Sequence, residues 1–102
     1  MKDKKSFAEK VYDLMHQIPF GKVTTYGLIA KKLHTKAYRA VGNACHKNPY
    51  APTVPCHRVV KSDGAIGGFS SGVKKKIKLL EKEGIEIKNN KILNFKKILH
   101  KF

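Results

Sequence analysis

Cys56 is the residue with the clearest potential for covalent chemistry. It is followed by His57 and Arg58 and lies in a stretch, positions 14 to 62, that holds no carboxylate. A cysteine reacts as its thiolate, and nearby positive charge favours that form. These neighbours favour a nucleophilic Cys56. The alternative is a buried, inert cysteine that precedes a strand.

His57 is the candidate base for that thiol. Neighbouring side chains on an extended segment point to opposite faces, so His57 is badly placed to contact the Cys56 sulfur, and a bridging water would carry the proton. A histidine in this role needs a carboxylate or a carbonyl to fix its tautomer. Glu83, at the end of a predicted helix, is the best candidate by elimination.

A second cysteine, Cys45, raises the question of a disulfide with Cys56. The N-terminal sequence MKDKKSFAEK has no apolar stretch of the kind that secretory signals carry. We therefore expect an intracellular, cytoplasmic and reducing location, in which both cysteines are free thiols. A Cys45–Cys56 disulfide is the alternative.

The charge of the chain predicts a polyanionic partner. Among 102 residues, 22 are Lys or Arg and 7 are Asp or Glu, which leaves a formal charge of +15. Nucleic acid is the first candidate, and a solvated lysine-rich surface is the alternative. A hydrophobic content of 41% is typical of a soluble globular protein. The length fits one domain, residues 1–102, and no stretch is apolar enough to span a membrane.

A helix-turn-helix is predicted around the connection at His34-Thr35. Thr24 or Thr25 is the expected N-cap of its first helix. The second helix has small residues on its inner side and basic residues on its outer side, which is typical of a helix that meets DNA. The inner residues are Leu28, Ile29 and Leu33 in the first helix and Ala37, Ala40, Val41 and Ala44 in the second, whose outer residues are Lys36, Arg39, Asn43 and Lys47.

The other predicted elements rest on local signals and complete a mainly α fold with a small β-hairpin. A Ser6–Glu9 capping box predicts a first helix from Phe7 to Gln17. Three prolines between positions 48 and 55 force extended or turn geometry before Cys56. Further along we expect a hairpin of Val59-Val60 with Ala65-Ile66 about Asp63-Gly64, followed by a glycine loop at 67–72. We then expect a helix with Val73, Ile77 and Leu80 that ends at Gly84. Two short strands about Asn89-Asn90 and a terminal helical turn with Phe95, Ile98, Leu99 and Phe102 complete the chain.

Six separated motifs, in the same order, resemble the C-terminal active-site domain of the O6-alkylguanine-DNA alkyltransferases, also called methylated-DNA-protein-cysteine methyltransferases. The resemblance spans residues 7–85 and implies a winged-helix-like helix-turn-helix fold. The motifs are IPFGKVTTYG at 18–27, YRAVGNA at 38–44, the Asn48-Pro49 pair, PCHRVV at 55–60, GAIGGFSSG at 64–72 and LLEKEG at 79–84.

The resemblance implies a repair reaction in which Cys56 accepts the alkyl group of O6-alkylguanine, with O4-alkylthymine as a further substrate. His57 would be the base that acts through water, and Glu83 would orient it. Tyr26 would help to extrude the nucleotide and donate a proton or a hydrogen bond to the departing guanine. Asn48 would brace the turn before the cysteine segment. An O6-alkyl carbon inside a duplex is out of reach until its nucleotide is flipped, which fits these roles.

The same resemblance implies the DNA contacts and the base pocket. Arg39 would enter the base stack from the minor groove and take the place of the extruded nucleotide. Phe69 stands where relatives commonly carry tyrosine, so a hydroxyl contact there is lost. The implied DNA contacts are Arg39, Tyr26, Lys36, Ala40, Gly42, Asn43, Lys47 and Arg58, and the implied base pocket is formed by the Val60 carbonyl, Phe69, Ser70 and Ser71.

The partner implied is double-stranded DNA with the lesion, bound by a monomer and without a membrane. The lesion donates the alkyl group, so no cofactor is expected. No metal is expected either, because the metal site of some relatives lies in an N-terminal domain, which the resemblance does not include. The product, a thioether, has no carbonyl for water to attack, so each molecule would act once.

Three other functions remain open. The size resembles that of the alkyltransferase-like proteins, which bind the same lesions but often carry tryptophan at the acceptor position, so a lesion sensor without efficient transfer is one alternative. A plain helix-turn-helix module would leave the Pro-Cys-His-Arg run unexplained. A thiol hydrolase with Cys56, His57 and Glu83 would explain neither Arg39 nor the positive charge.

Overall fold

The computed structural model of the protein describes residues 6–48, 54–68 and 72–102. Within these ranges the chain is mainly helical and contains the predicted helix-turn-helix. None of the helices there has the length and apolarity needed to cross a membrane. The elements, in chain order, are α1 (Phe7–His16), β1 (Thr24–Thr25), α2 (Tyr26–Lys32), α3 (Tyr38–His46), a one-turn 3₁₀ helix (Cys56–Arg58), β2 (Val59–Val60), α4 (Val73–Lys82), β3 (Ile87–Lys88), β4 (Lys91–Ile92) and α5 (Phe95–Ile98).

The first helix begins at the predicted capping box. The Ser6 hydroxyl accepts a hydrogen bond from the Glu9 N–H at 3.1 Å, and the Ser6 N–H donates to Glu9 Oε1 at 2.8 Å. The helix ends at His16, and Gln17 is its C-cap. Its inner side buries Val11, Leu14 and Met15, as the helical spacing of the apolar residues predicts.

Of the two candidate caps of α2, Thr25 is the one that caps it. Its hydroxyl accepts from the Leu28 N–H at 3.0 Å, whereas the Thr24 hydroxyl donates to the His100 carbonyl at 2.9 Å. At the other end, His34 adopts a left-handed conformation with φ of 58°. The His34 N–H donates to the Lys31 carbonyl and the Thr35 N–H donates to the Ala30 carbonyl, both at 3.0 Å. These bonds form a C-terminal Schellman motif that turns the chain sharply into α3.

The inner side of α3 differs from the prediction at its start. Val41, Ala44 and Cys45 are buried and Ala40 is half-buried. Ala37 is exposed because it is the N-cap residue, one position before the first helical residue. The inner stripe therefore begins later than the spacing of small residues suggests, and α1 and α2 both pack against it.

The predicted hairpin of Val59-Val60 with Ala65-Ile66 is wrong. β2 instead pairs in parallel with β1, with Thr24 opposite Val59 and Thr25 opposite Val60. The turn itself is present, since the Gly64 N–H donates to the Lys61 carbonyl at 2.9 Å and the Lys61 N–H donates to the Ala65 carbonyl at 3.0 Å. Val59 and Val60 are both fully buried, and strands buried on both faces are typical of parallel pairing.

Most C-terminal elements agree with the local signals, but α5 ends at Ile98, so Leu99 and Phe102 lie outside the predicted helical turn. α4 ends at the predicted Gly84, whose φ is 83°. β3 and β4 are antiparallel, and Asn89 and Asn90 form their turn with positive φ values of 54° and 60°. This C-terminal segment packs on a second apolar cluster, separate from the cluster of α1, α2 and α3, formed by Val23, Val60, Ile66, Leu80, Ile85 and Ile92.

Candidate active site

Cys56 begins a turn of 3₁₀ helix and not the extended segment that was predicted. The Arg58 N–H donates to the Pro55 carbonyl at 3.0 Å, which closes the turn. Cys56 is 3% exposed and belongs to the first apolar cluster. Among the contacts of the described residues, no hydrogen bond joins the Cys56 thiol to His57. Proton transfer from the thiol to His57 by way of a bridging water therefore stays a prediction.

His57 and Glu83 lie together, as the sequence predicts. His57 Nε2 is 2.7 Å from Glu83 Oε2. His57 Nδ1 is buried and has no hydrogen-bond partner among the described residues. Burial lowers the pKa of His57, although the neighbouring Glu83 partly opposes that shift. A neutral imidazole that donates from Nε2 to the carboxylate leaves Nδ1 as a proton acceptor.

Glu83 is held as a carboxylate by three donors. Burial alone would raise its pKa, but hydrogen bonds from the Gly21 N–H, His57 and Arg58 outweigh that effect and lower it. The Gly21 N–H donates to Glu83 Oε1 at 2.9 Å. Arg58 Nε donates to both carboxylate oxygens, at 2.9 and 3.0 Å. The charged form of Glu83 is therefore the one that orients His57.

Arg58, which the resemblance assigns to the DNA contacts, is bound to groups of the protein itself. Besides its bonds to Glu83, Arg58 Nη1 donates to the Ile18 carbonyl at 2.8 Å, and the guanidinium lies 5.7 Å from the centre of the Phe20 ring. The side chain is 16% exposed. Its donors are used to fix Glu83 and the turn after α1, so Arg58 is a positioning residue for the histidine–carboxylate pair.

The thiol is not activated in the way that its sequence neighbours suggest. Burial raises the pKa of Cys56 above its ordinary value, and hydrogen bonding from Asn48 and the charge of Lys76 only partly oppose that shift. His57 is neutral, and the charge of Arg58 is matched by Glu83. The resting thiol is therefore protonated, so its reaction requires a base. Cys45 is also a free thiol, in contact with Met15 at 3.6 Å between the sulfur atoms.

Lys76 is a functional candidate that the sequence prediction missed. Its side chain is fully buried. The Nζ atom donates to the carbonyls of Val59, Ile66 and Gly68 at 2.8, 2.6 and 3.2 Å. Burial lowers its pKa to about 8, with the two cysteines acting in the opposite direction. Lys76 thus ties the strand after Cys56 to the glycine loop.

Tyr26 and Arg39 meet at a cavity of about 310 Å³ between α3 and the glycine loop. Burial raises the pKa of Tyr26, so its phenol stays protonated and able to donate. Two glycines shape the loop here for different reasons. Gly67 has a φ of 75°, a conformation that favours glycine, whereas a Cβ atom on Gly68 would lie only 3.2 Å from His46 Cε1. The lining residues are Tyr26, Tyr38, Arg39, Gly42, His46, Lys61, Gly67 and Gly68. We call this space the α3–loop cavity.

The remaining predicted residues are spread over the site. Asn48 Nδ2 donates to the Val54 carbonyl at 2.8 Å, which ties the end of α3 to the cysteine segment. Lys36, Asn43 and Lys47 are exposed, Ala40 is half-buried, and Val60 lies in β2. Within the described ranges, no group of three or more His, Cys, Asp and Glu side chains could hold a metal ion. Phe69, Ser70 and Ser71 lie outside the described residues, as do two of the three prolines before Cys56, Pro49 and Pro52.

The sequence of the chain is similar to curated methyltransferases. A methylated-DNA–protein-cysteine methyltransferase of Thermococcus kodakarensis is 52% identical over 81 residues, which cover 78% of this chain and 45% of the relative. The protein of the same name from Methanocaldococcus jannaschii is 48% identical over 81 residues, which cover 79% of this chain and 47% of the relative. The chain spans about half the length of the curated relatives it matches.

The fold is also similar to solved structures. S. pombe Atl1, in complex with damaged DNA containing O6-carboxymethylguanine, superposes with a TM-score of 0.84 at 35% identity and covers 99% of this chain and 100% of its own. Mycobacterium tuberculosis OGT in complex with DNA has a TM-score of 0.74 at 39% identity, and the match covers 79% of this chain and 51% of that protein's chain. Residues 6–85 match the family described as 6-O-methylguanine DNA methyltransferase, DNA binding domain. Because this match covers most of the chain, the protein belongs to that family.

Proposed function

We propose that this protein repairs alkylated guanine in DNA by transferring the alkyl group from O6 to the sulfur of Cys56. The observation that carries the proposal is the buried thiol beside a His57–Glu83 pair whose Nδ1 atom has no partner among the described residues. The similarity to proteins named methylated-DNA–protein-cysteine methyltransferase supports the same reaction.

In the proposed reaction, one bond forms and one breaks at the alkyl carbon. His57 takes the thiol proton through a bridging water as the sulfur attacks, and the carbon–O6 bond breaks with its electron pair moving to the guanine. Tyr26 donates a proton or a hydrogen bond to the purine, which makes guanine a competent leaving group. Where Tyr26 gives its proton to guanine, the thiol proton held on His57 returns through water to the phenolate, so one proton leaves the thiol and one reaches guanine. The product is a thioether, so no step regenerates the thiol and the protein acts once.

Access to the lesion requires the nucleotide to leave the duplex, at a cost of a few kcal/mol. Arg39 at the α3–loop cavity is the proposed wedge, inserted from the minor groove of double-stranded DNA. The exposed cations Lys36 and Lys47 on α3 would bind phosphates. Tyr26 lines the same cavity as Arg39, which supports a shared role in extrusion.

The test is incubation with a duplex that contains one O6-methylguanine, followed by intact-mass and peptide analysis and a parallel binding measurement. We expect a gain of one methyl group on Cys56, and we expect Cys56→Ser to bind the lesion without any gain. Lesion binding by the unaltered protein without an adduct would mean a lesion sensor. Equal binding of damaged and undamaged duplex without transfer would mean a general DNA-binding module.

A further inference from the structure

Tyr38 is an exposed aromatic residue at the first position of α3, directly before Arg39. It is 53% exposed, although burying an aromatic ring is favourable. Three cavities meet at this side chain: the α3–loop cavity, a cavity of about 350 Å³ with Tyr26, Gly27 and Ser62, and a cavity of about 400 Å³ on the side of α2. Tyr38 thus lies between the α3–loop cavity and the two other cavities.

The cavity beside α2 has the chemistry of a nucleotide site. Lys31 and Lys36 line it together with Tyr38, and its other lining residues are Gly27, His34 and Thr35. No carboxylate lies anywhere between positions 14 and 62, so no nearby acid in this stretch competes for the two ammonium groups. Cations bind the phosphodiester, and an exposed ring offers a face for a base or a sugar.

The backbone around Tyr38 is held before any ligand arrives. The Thr35 hydroxyl accepts from the Ala37 N–H at 3.1 Å, and the Tyr38 N–H donates to the Lys36 carbonyl at 2.8 Å. The Schellman motif at the end of α2 fixes the same connection from its other side. Less ordering is therefore needed when a strand binds there.

We infer that Tyr38, Lys31 and Lys36 form a second nucleotide site, which binds the nucleotide next to the extruded one. This inference rests on the proposed function. Successive residues of a helix are about 100° apart. Arg39 and Tyr38 can therefore contact neighbouring nucleotides. When Arg39 takes the place of the extruded nucleotide, the neighbouring base loses a stacking partner, and the Tyr38 ring replaces it. The phosphate of that neighbour binds Lys31 and Lys36.

The test uses the Cys56→Ser protein, so that transfer does not disturb binding. Lesion duplexes carry 2-aminopurine at one or the other neighbour of the O6-methylguanine, and both affinity and fluorescence are measured. We expect Tyr38→Ala to weaken binding by about tenfold and to abolish fluorescence quenching at one of the two neighbours. Tyr38→Phe should retain both. Leu93→Ala, at an exposed apolar residue outside these cavities, should change neither.

The lysines are tested by the salt dependence of the same binding. Each lost phosphate contact lowers the slope of log affinity against log salt by roughly 0.9. The double variant Lys31→Gln with Lys36→Gln loses two such contacts and should lower the slope by about twice that amount. The matched control is Lys96→Gln with Lys97→Gln in α5, which should leave the slope unchanged.

Unchanged affinity and unchanged fluorescence in Tyr38→Ala would overturn the inference, and so would a parent protein that does not bind the duplex. Neither result depends on methyl transfer, which is measured on the unaltered protein. Absence of a methyl adduct on Cys56 would therefore count against the proposed function alone.

Discussion

Cys56 is surrounded by groups with opposite effects on its acidity. Burial raises the pKa of the thiol, while Asn48 and Lys76 lower it in part. The adjacent His57 and Arg58 contribute no free positive charge, because the first is neutral and the second is paired with Glu83. A protonated, buried thiol is protected from adventitious electrophiles and reacts only where a base and a positioned substrate meet it.

The first prediction concerns the reactivity of this thiol. We expect Cys56 to react slowly with iodoacetamide at neutral pH, because its pKa lies above the ordinary value of 9.0. The rate should still be rising with pH at 9, as measured by peptide mass. Cys45, whose pKa burial raises to about 12, is the internal control and should react more slowly throughout. A rate for Cys56 that is already constant between pH 7 and 9 would contradict this view.

The second prediction separates chemistry from stability in the His57–Glu83 pair. His57→Asn removes the base but keeps the Arg58–Glu83 pair, so we expect methyl transfer to slow by roughly 10²-fold with little loss of stability. Glu83→Gln should slow transfer and also lower the free energy of unfolding by about 3 kcal/mol, because it leaves the guanidinium uncompensated. Single-turnover kinetics and urea unfolding measure the two effects. Equal destabilisation by both variants would show that His57 and Glu83 do not differ in their contribution to stability.

The sequence predicts part of this site because the residues concerned lie in short motifs. The pairing of His57 with Glu83 was expected, and the resemblance singled out Tyr26 and Arg39, although it did not say that they line one cavity. Arg58 was assigned to DNA because nothing local indicates that Ile18 and Glu83 come within its reach. Lys76 carried an overlooked signal: it lies at helical spacing from Val73, Ile77 and Leu80, so a lysine occupies the apolar side of α4.

At the level of helices and strands, the correct predictions rest on signals within a few residues. The capping box of α1, the glycine that ends α4 and the Asn89-Asn90 turn are all local, and all are present. The predicted hairpin of Val59-Val60 with Ala65-Ile66 was a local pairing and is wrong, because β2 pairs instead with β1, which lies far away along the chain. Parallel strands are joined by long connections that leave no local signature, so β1 and β2 could not be matched from the sequence.

The third prediction tests the cap that positions Tyr26. Thr25→Ala removes the acceptor of the Leu28 N–H, and we expect the free energy of unfolding to fall by about 1 kcal/mol. Thr25→Ser keeps a hydroxyl and should restore most of that loss. Urea unfolding measures both, and equal stability of the two variants would show that the cap contributes nothing.

At the scale of the whole molecule, His57 and Glu83 couple the stability of the fold to acid. In the unfolded chain, His57 binds a proton near its ordinary pKa of 6.5, whereas the folded protein takes it up only at lower pH. Stability therefore falls as the pH drops below 6.5. Glu83, whose folded pKa is below 4.5, stabilises the fold above that value and stops doing so as the pH falls through the folded pKa.

The fourth prediction follows from those signs. The free energy of unfolding should decrease continuously as the pH is lowered from 7, first through His57 and then through Glu83. His57→Asn should flatten the first part of the decrease and leave the second, as measured by urea unfolding at several pH values. A variant with the same pH dependence as the unaltered protein between pH 7 and 5 would exclude His57 as the group responsible.

The family match ends at residue 85, yet the chain beyond it is part of the same fold. The Val23 N–H donates to the Ile98 carbonyl at 2.9 Å, which ties α5 to the residues just before β1. Ile92 is 6% exposed within the second apolar cluster. The C-terminal segment therefore supports β1 and β2, which lead directly into Tyr26 and out of the cysteine turn.

The most direct test of the central claim is the stoichiometry of methyl transfer when a duplex with O6-methylguanine is in large excess. The account predicts that repaired guanine stops accumulating at one equivalent per protein molecule, and that every modified molecule carries its single methyl group on Cys56. Repair that continues beyond one equivalent, or a methyl group on any other residue, would contradict it.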